Sequence, residues 1–265
     1  MVKNITNKVS QAASEWQNRP LESLYMIVWM DGIVFKVREN GKVINKTVYL
    51  CVGLNKEGLK EVLGMWVGKN ESAAFWMGVL TDLKARGVED ILITVTDNLN
   101  GFTETIKSVF PTSTTQICVV HQIRNSCRYV VWKEKKEFTS DLKNIYNAPT
   151  KEAAKMELEN FEQKWGTKYP YAIRSWRNNW EELTVFFDFP VEIRKIIYTT
   201  NLIENLNGKI RKYTKNKLSF PNDDALKKSV YLAITEIEKK WYQPIWNWAL
   251  IFNQFITIFE NRIQV

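Results

Sequence analysis

Histidine is all but missing from this chain: His121 is the single one in 265 residues. Cys118-x-x-His121 with Cys127 nearby has the outline of a zinc half-site. However, a structural zinc takes four ligands from paired motifs, and no second Cys or His pair exists to complete them. Cysteine is nearly as scarce. Cys51, Cys118 and Cys127 are odd in number and spaced in no disulfide framework, as expected of a reducing compartment. No run reaches the roughly 18 apolar residues of a membrane span. The opening Met1-Val2-Lys3-Asn4 lacks the apolar stretch of a secretory signal. The expected setting is cytoplasmic, with no membrane partner. Internal repeats and low-complexity segments are also lacking.

What is present is a globular composition, 45% hydrophobic, with a net charge of +8 and a pI ≈ 9.2. The length suits one large domain or two small ones. Clustered Lys and Arg gain affinity for polyanions by releasing condensed counterions from phosphates. On charge alone, a merely solvated basic face accounts for the excess equally well.

Along the chain, residues 1–23 read as a polar lead segment, helical around Val9 to Trp16 and broken at Arg19-Pro20. Three strand-like runs follow, Tyr25 to Val37, Val43 to Leu54 and Glu61 to Val67. They are joined through Glu39-Asn40-Gly41-Lys42 and Asn55-Lys56-Glu57-Gly58, which predicts an antiparallel meander. Asn70-Glu71 opens a helix that Gly87 closes. The pattern then alternates: a strand over Ile91 to Thr96, a helix over Gly101 to Phe110, a strand over Thr115 to Val120 and a helix over His121 to Trp132. From Lys133 to about Tyr198 strand signals vanish, and apolar residues recur at helical intervals. A helix follows around residue 204, then a break and cap at Phe220-Pro221-Asn222-Asp223, then one or two terminal helices. The expected class is α/β: a mixed sheet flanked by helices, in segments 24–132 and 198–265, interrupted by an all-helical insertion over 133–197.

Three acids stand out against this frame. Asp31 interrupts the apolar run Tyr25-Met26-Ile27-Val28-Trp29-Met30, which resumes at Ile33-Val34-Phe35. An ionised carboxylate there costs several kcal/mol unless it is protonated, paired or bound to a metal. Asp97 closes the run Ile91 to Thr96, at the sheet edge where ligands commonly bind. Glu204 sits on a helix whose Ile203, Leu206, Ile210 and Tyr213 form a docking stripe, while Asn201, Glu204, Asn207 or Gly208, Arg211 and Lys215 share another face. Hard oxygen ligands select Mg²⁺ or Mn²⁺, and two such ions activate an attacking oxygen and stabilise a leaving one. Phosphodiester transfer is the chemistry implied. Each acid also has a plainer reading. Asp31 beside Gly32 is a turn that splits one run in two, Asp97 with Asn98 caps the next helix, and Glu204 completes a capping box with Asn201.

The residues around these acids resemble the catalytic domain of the Mutator-related bacterial insertion-sequence transposases, the IS256 family. The likeness is carried by Glu15-Trp16-Gln17-Asn18-Arg19-Pro20-Leu21, Asp31-Gly32-Ile33, Phe35-Lys36-Val37-Arg38, Gly64-Met65-Trp66, Asn70-Glu71-Ser72 and Phe75-Trp76. It continues through Cys118-Val119-Val120-His121-Gln122-Ile123-Arg124-Asn125, Ser175-Trp176-Arg177-Asn178-Asn179-Trp180 and Tyr198-Thr199-Thr200-Asn201-Leu202-Ile203-Glu204, in family order over about residues 15 to 240. The resemblance implies a ribonuclease-H-like core with a helical insertion before the last acid. It also implies a DDE triad of Asp31, Asp97 and Glu204 that uses divalent metal to cleave element ends and transfer strands, and an auxiliary place for Cys118 and His121 beside the site. Only 30 residues precede Asp31, so the family's helical DNA-binding region is expected to be lacking ahead of it.

Candidate DNA contacts are Arg124, Arg177, Lys209, Arg211 and Lys215, the last three because they flank Glu204. Trp176 and Trp180 read chiefly as core, and Trp241, Trp246 and Trp248 as packing of the terminal helices or of a subunit interface. The expected partners are DNA, as transposon ends and target, and further copies of the chain in a dimer or higher oligomer. The competing functions are a nuclease or resolvase on the same core and an inactive DNA-binding remnant.

Overall fold

The apolar run broken by Asp31 forms one unbroken strand. In the computed structural model, which describes residues 2–99, 101–198 and 201–263 (the first five as backbone alone), helix α1 (Val2–Gln17) precedes strands β1 (Leu24–Glu39), β2 (Lys42–Leu54) and β3 (Lys60–Gly68). β1 pairs antiparallel with β2 from Ile27↔Leu54 to Glu39↔Lys42, and β2 with β3, so the expected meander is observed. The first turn takes positive φ at Asn40 (50°) and Gly41 (77°). That backbone suits a tight hairpin and is one that Asn and Gly adopt with little strain.

Helix α2 (Ala73–Ala85) starts two residues later than the Asn70-Glu71 signal suggests. Ser72 is its cap, Oγ accepting from Phe75 N–H, and Glu71 instead accepts from the Trp76 indole at 2.9 Å. Strand β4 (Asp90–Thr96), helix α3 (Phe102–Val109) and strand β5 (Thr114–Ile117) follow, in a sheet of order β3-β2-β1-β4-β5. Thr94 Oγ1 donates to Thr114 O, and Cys118 N–H donates to Thr96 O. Both indices rise together, so β4 and β5 run parallel, linked by the helix that parallel neighbours need. The expected α/β class, a mixed sheet flanked by helices, is the class observed.

Two compact units divide the chain, one of residues 1–94, 99–114 and 201–265, the other of residues 95–98 and 115–200. The first is centred on the buried face of the meander, where Tyr25, Val28, Met30, Tyr49 and Leu63 meet Trp76, Leu80, Phe102 and Ile106. Trp76 stacks on Phe102 with ring centroids 4.6 Å apart. Burying aromatic and aliphatic groups of this size contributes about 1.5–3 kcal/mol each.

The second unit holds helices α4 (Val119–Ser126), α5 (Lys135–Tyr146), α6 (Lys151–Trp165), α7 (Pro170–Asn178), α8 (Trp180–Leu183) and α9 (Val191–Ile197). Between residues 133 and 198 no strand occurs among the described residues. Cys118 N–H makes the last bond to a strand residue and Gln122 N–H the first helical bond back to Cys118 O, so α4 begins at Val119 rather than His121. Past Ser126 the backbone tightens into two 3₁₀ turns, Cys127–Tyr129 and Trp132–Glu134, instead of continuing as one helix to Trp132. Phe138 packs edge-on against Phe161, Trp165 and Tyr169. Trp176 is buried, its indole donating to Ser126 Oγ at 2.9 Å, which bears out the core reading of that residue. Trp180 is half-buried.

The chain returns to the first unit with α10 (Asn201–Thr214), α11 (Asp223–Glu238) and α12 (Trp248–Ile258). Asn222 caps α11 by accepting from Ala225 N–H, as the sequence signal requires. Phe220 bridges to Val37 of β1 through paired backbone bonds with Lys36 and Arg38. Trp248 packs its indole on the tight turn at Gly58, whereas Trp246 is exposed. Thr199 and Thr200 of the Tyr198–Glu204 signature lie outside the described residues.

Candidate active site

Asp31 sits within β1, paired with Leu50, while its neighbour Gly32 pairs with Tyr49, so no turn splits the strand there. A Cβ at residue 32 would meet Thr47 Cγ2 at 2.7 Å, which leaves only glycine fitting beside the acid. Asp31 is 7% exposed. Its Oδ1 accepts from Gly32 N–H and its Oδ2 from Asn207 Nδ2, both at 2.7 Å. Two uncharged donors soften the cost of a buried carboxylate, which isolated would be several kcal/mol. The Oδ1 of Asn207 is itself buried, and among the described residues no donor reaches it.

Glu204 reaches the same part of the first unit because α10 packs on β1 through Ile203, Leu206 and Ile210, all fully buried. The expected fourth member of that stripe, Tyr213, is 57% exposed, and Thr214 closes the buried face instead. The cause is the 3.6-residue period: from Ile210 the next position on that face is four residues on, not three. Glu204 is half-buried, three residues before Asn207 and hence on the same face of the helix. α10 already includes Asn201, so this residue does not stand ahead of the helix as a capping box would need.

Asp97 leaves the end of β4 half-buried in the second unit. It caps nothing, since α3 begins behind Gly101 without a side-chain cap. Its Oδ1 pairs with His121 Nδ1. Burial opposes a charge on His121, but the hydrogen bond and charge of Asp97, with a further hydrogen bond to Cys118, outweigh it and raise the imidazole pKa to about 11. His121 is therefore an imidazolium at neutral pH, held between Asp97 and the buried Cys118. The scarcity of histidine singles out this residue, and its role here is partner to a carboxylate.

The cations divide between the units. In the second, Arg124 is exposed on the last turn of α4, and Arg177 on α7 is ion-paired to Glu162 of α6. In the first, Lys209 is half-buried, Arg211 is exposed with its guanidinium 3.5 Å from Val34 O, and Lys215 is exposed just past α10. The sequence places Asn207 or Gly208 on the same face of α10 as Glu204 and Arg211. The bond of Asn207 to Asp31, 176 residues away, has no sequence signal.

The profile described as "Transposase, Mutator family" matches residues 1–244. A probable transposase for insertion sequence element ISRM3-like of Sinorhizobium fredii (strain NBRC 101917 / NGR234) is 43% identical over 263 residues, covering 99% of this chain and 66% of that protein. The transposase for insertion sequence element IS256 in transposon Tn4001 of Staphylococcus aureus is 27% identical over 247 residues, 91% of this chain and 62% of its own length. The chain thus spans slightly under two thirds of these relatives. The Drosophila P element transposase strand transfer complex is similar at a TM-score of 0.44 and 9% identity, over 87% of this chain and 81% of that one, a likeness too slight to argue from.

Proposed function

The chain belongs to the Mutator family of transposases, and from that premise we propose that it carries the catalytic machinery of an insertion-sequence transposase, with a ribonuclease-H-like core over 24–132 and 198–265 and a helical insertion over 133–197. In this reading Asp31, Asp97 and Glu204 hold Mg²⁺ or Mn²⁺ as a pair of ions, DNA is cut at the element's ends, and the freed 3′-hydroxyl is joined to target DNA. The supporting observation is the carboxylate of Asp31 buried inside a continuous strand beside the orphaned acceptor of Asn207. Carboxylate and amide oxygens are hard donors, so the residues present fit a hard divalent ion. Bound there, such an ion supplies Lewis acidity and makes an oxygen nucleophile available at neutral pH.

The chain's own side chains do the positioning. Gly32 N–H and Asn207 fix the Asp31 carboxylate, α10 presents Glu204, and His121, backed by Cys118, orients Asp97. Arg124, Arg177, Lys209, Arg211 and Lys215 hold phosphates of end and target DNA. A reaction on two element ends calls for at least two copies of the chain on DNA, in the cytoplasm.

The test uses labelled DNA carrying the element's ends with Mg²⁺ or Mn²⁺. Metal-dependent nicking and transfer of the labelled 3′-hydroxyl strand into target DNA is the expected outcome. Each of Asp31→Asn, Asp97→Asn and Glu204→Gln lowers it about a thousandfold or more, the equivalent of several kcal/mol of lost charge stabilisation. Hydrolysis without joining would assign a nuclease or resolvase instead. Salt-sensitive binding indifferent to Asp97→Asn, with no cleavage, would assign a DNA-binding remnant.

A further inference from the structure

Where the outer half of β1 meets the C-terminal end of α10, a cleft of ≈ 500 Å³ opens within the first unit, lined by Val34, Lys36, Arg211, Lys215, Lys217 and Leu218 among others. Four of these six carry positive charge. None of the four has a carboxylate partner among the described residues, although Lys217 donates to Ser229 Oγ at 2.8 Å. Other cations of the same unit are matched: Lys46 by Glu39 and Asp223, Arg19 by Glu61, Arg262 by Asp90. Like charges gathered in one concavity repel and concentrate counter-anions there. The cleft also carries Leu218 at 92% exposure and Val34 at 46%, apolar surface set between lysines.

Its position relative to the acids follows from the two elements that build it. Arg211 lies seven residues beyond Glu204 on α10, two turns or about 10 Å along the axis. Val34 lies three residues beyond Asp31 on β1, again about 10 Å along the strand but on its opposite face, so the cleft wraps the strand's edge. Both routes lead from the acids to the same cleft. A DNA strand advances about 3.4 Å per nucleotide along its axis, so about 10 Å is about three nucleotides.

We propose that this cleft grips the backbone of the DNA strand leading away from Asp31 and Glu204, at phosphates about three nucleotides from the reacting one, with Leu218 and Val34 against its sugars and bases. Apolar side chains flanked by cations meet DNA in this manner, the cations on phosphate and the hydrophobe on the stack. The assignment rests on the reading of the acids given above, and adds Lys36, Lys217 and Leu218 to the contact surface.

The experiment is fluorescence anisotropy of a fluorescein-labelled duplex with the full chain in EDTA across a salt series, where no cleavage intervenes. Lys36→Ala/Lys215→Ala removes two exposed cations whose side chains make no hydrogen bond or ion pair among the described residues, and should reduce the slope of log affinity against log salt by about 2. Lys107→Ala/Lys240→Ala, exposed cations elsewhere in the unit, should leave the slope within about 0.5 of wild type. Ethylation of phosphates about three nucleotides from the cut should impair binding by wild type and not by the Lys36/Lys215 variant. A slope unchanged in that variant overturns the proposal. A parallel cleavage assay with Mn²⁺ separates the two failures. Wild type that cleaves while the slope stays fixed rejects the cleft alone, and a slope that falls in a chain that never cleaves rejects the catalytic reading and keeps the cleft as a DNA surface.

Discussion

Asp31 is restrained by two uncharged donors in the middle of a strand, whereas Asp97, just past a strand end, is balanced by a cation. The two carboxylates share a type and a proposed task, yet their hydrogen bonds and ion pair differ: backbone and amide donors at Asp31, an imidazolium at Asp97. Beside Asp31 the neighbouring Asn207 leaves an acceptor unmet. For Asp97 the charge is matched by the His121 imidazolium, whose raised pKa expresses that match. A buried carboxylate without a cationic partner costs stability, and removing the cation from a buried pair costs it too.

Amide substitution gives the sharpest break between them. In Asp31→Asn the new amide NH₂ can donate to Asn207 Oδ1 once the Asn207 amide flips, while its oxygen still accepts from Gly32. The variant therefore loses a buried charge and exchanges one hydrogen bond with Asn207 for another. It should unfold at about 1 kcal/mol higher free energy than wild type while losing metal-dependent cleavage. Asp97→Asn leaves His121 without its counter-charge and should be destabilised by about 1–2 kcal/mol, with the same loss of cleavage. Denaturant titration of the metal-free proteins decides the matter. Shifts of the same sign in both variants would end the distinction.

Removing the partners is a milder perturbation. Asn207→Ala strips the donor from Asp31 Oδ2 and should weaken metal-dependent cleavage about 10–100-fold, in the manner of other groups that orient metal ligands. His121→Gln keeps a donor for Asp97 and should retain most of the rate, whereas His121→Ala should lose about tenfold. Titrating Mg²⁺ against activity reads the effect. The loss in Asn207→Ala should be recovered in part by excess metal, because the carboxylate is still present but less well aimed.

This contrast also marks what the amino-acid order discloses. The meander, the α/β alternation and the helical stretch follow from local pattern, because strand and helix periods and the Asn40-Gly41 turn act over a few residues. The acids were visible as candidates for the same reason: a carboxylate inside Tyr25 to Phe35 violates the burial expected of that run. What holds each acid was not visible. Asn207 stands 176 residues from Asp31, and nothing in either neighbourhood names the other. The Cys118-x-x-His121 spacing suggests a ligand pair, but the backbone turns at Cys118 to start α4 and brings His121 to Asp97. Tyr213 shows the same limit at short range, since an apolar residue three positions after Ile210 fits the stripe on paper and points to solvent once the helix has turned.

The smallest effect expected concerns Cys118, which also hydrogen-bonds the imidazolium. Its thiol is fully buried and adds to the raised pKa of His121 less than Asp97 does. Cys118→Ser preserves a hydrogen-bonding group of nearly the same size, so cleavage should change by less than about threefold and stability by less than about 1 kcal/mol. Cys118→Ala removes that group but leaves the Asp97 pair intact, and should fall between the serine variant and His121→Ala. If Cys118→Ala instead matches His121→Ala in both rate and stability, the ring owes its orientation to sulfur rather than to carboxylate, and the charge match assigned to Asp97 is not what sets the second acid apart from the first.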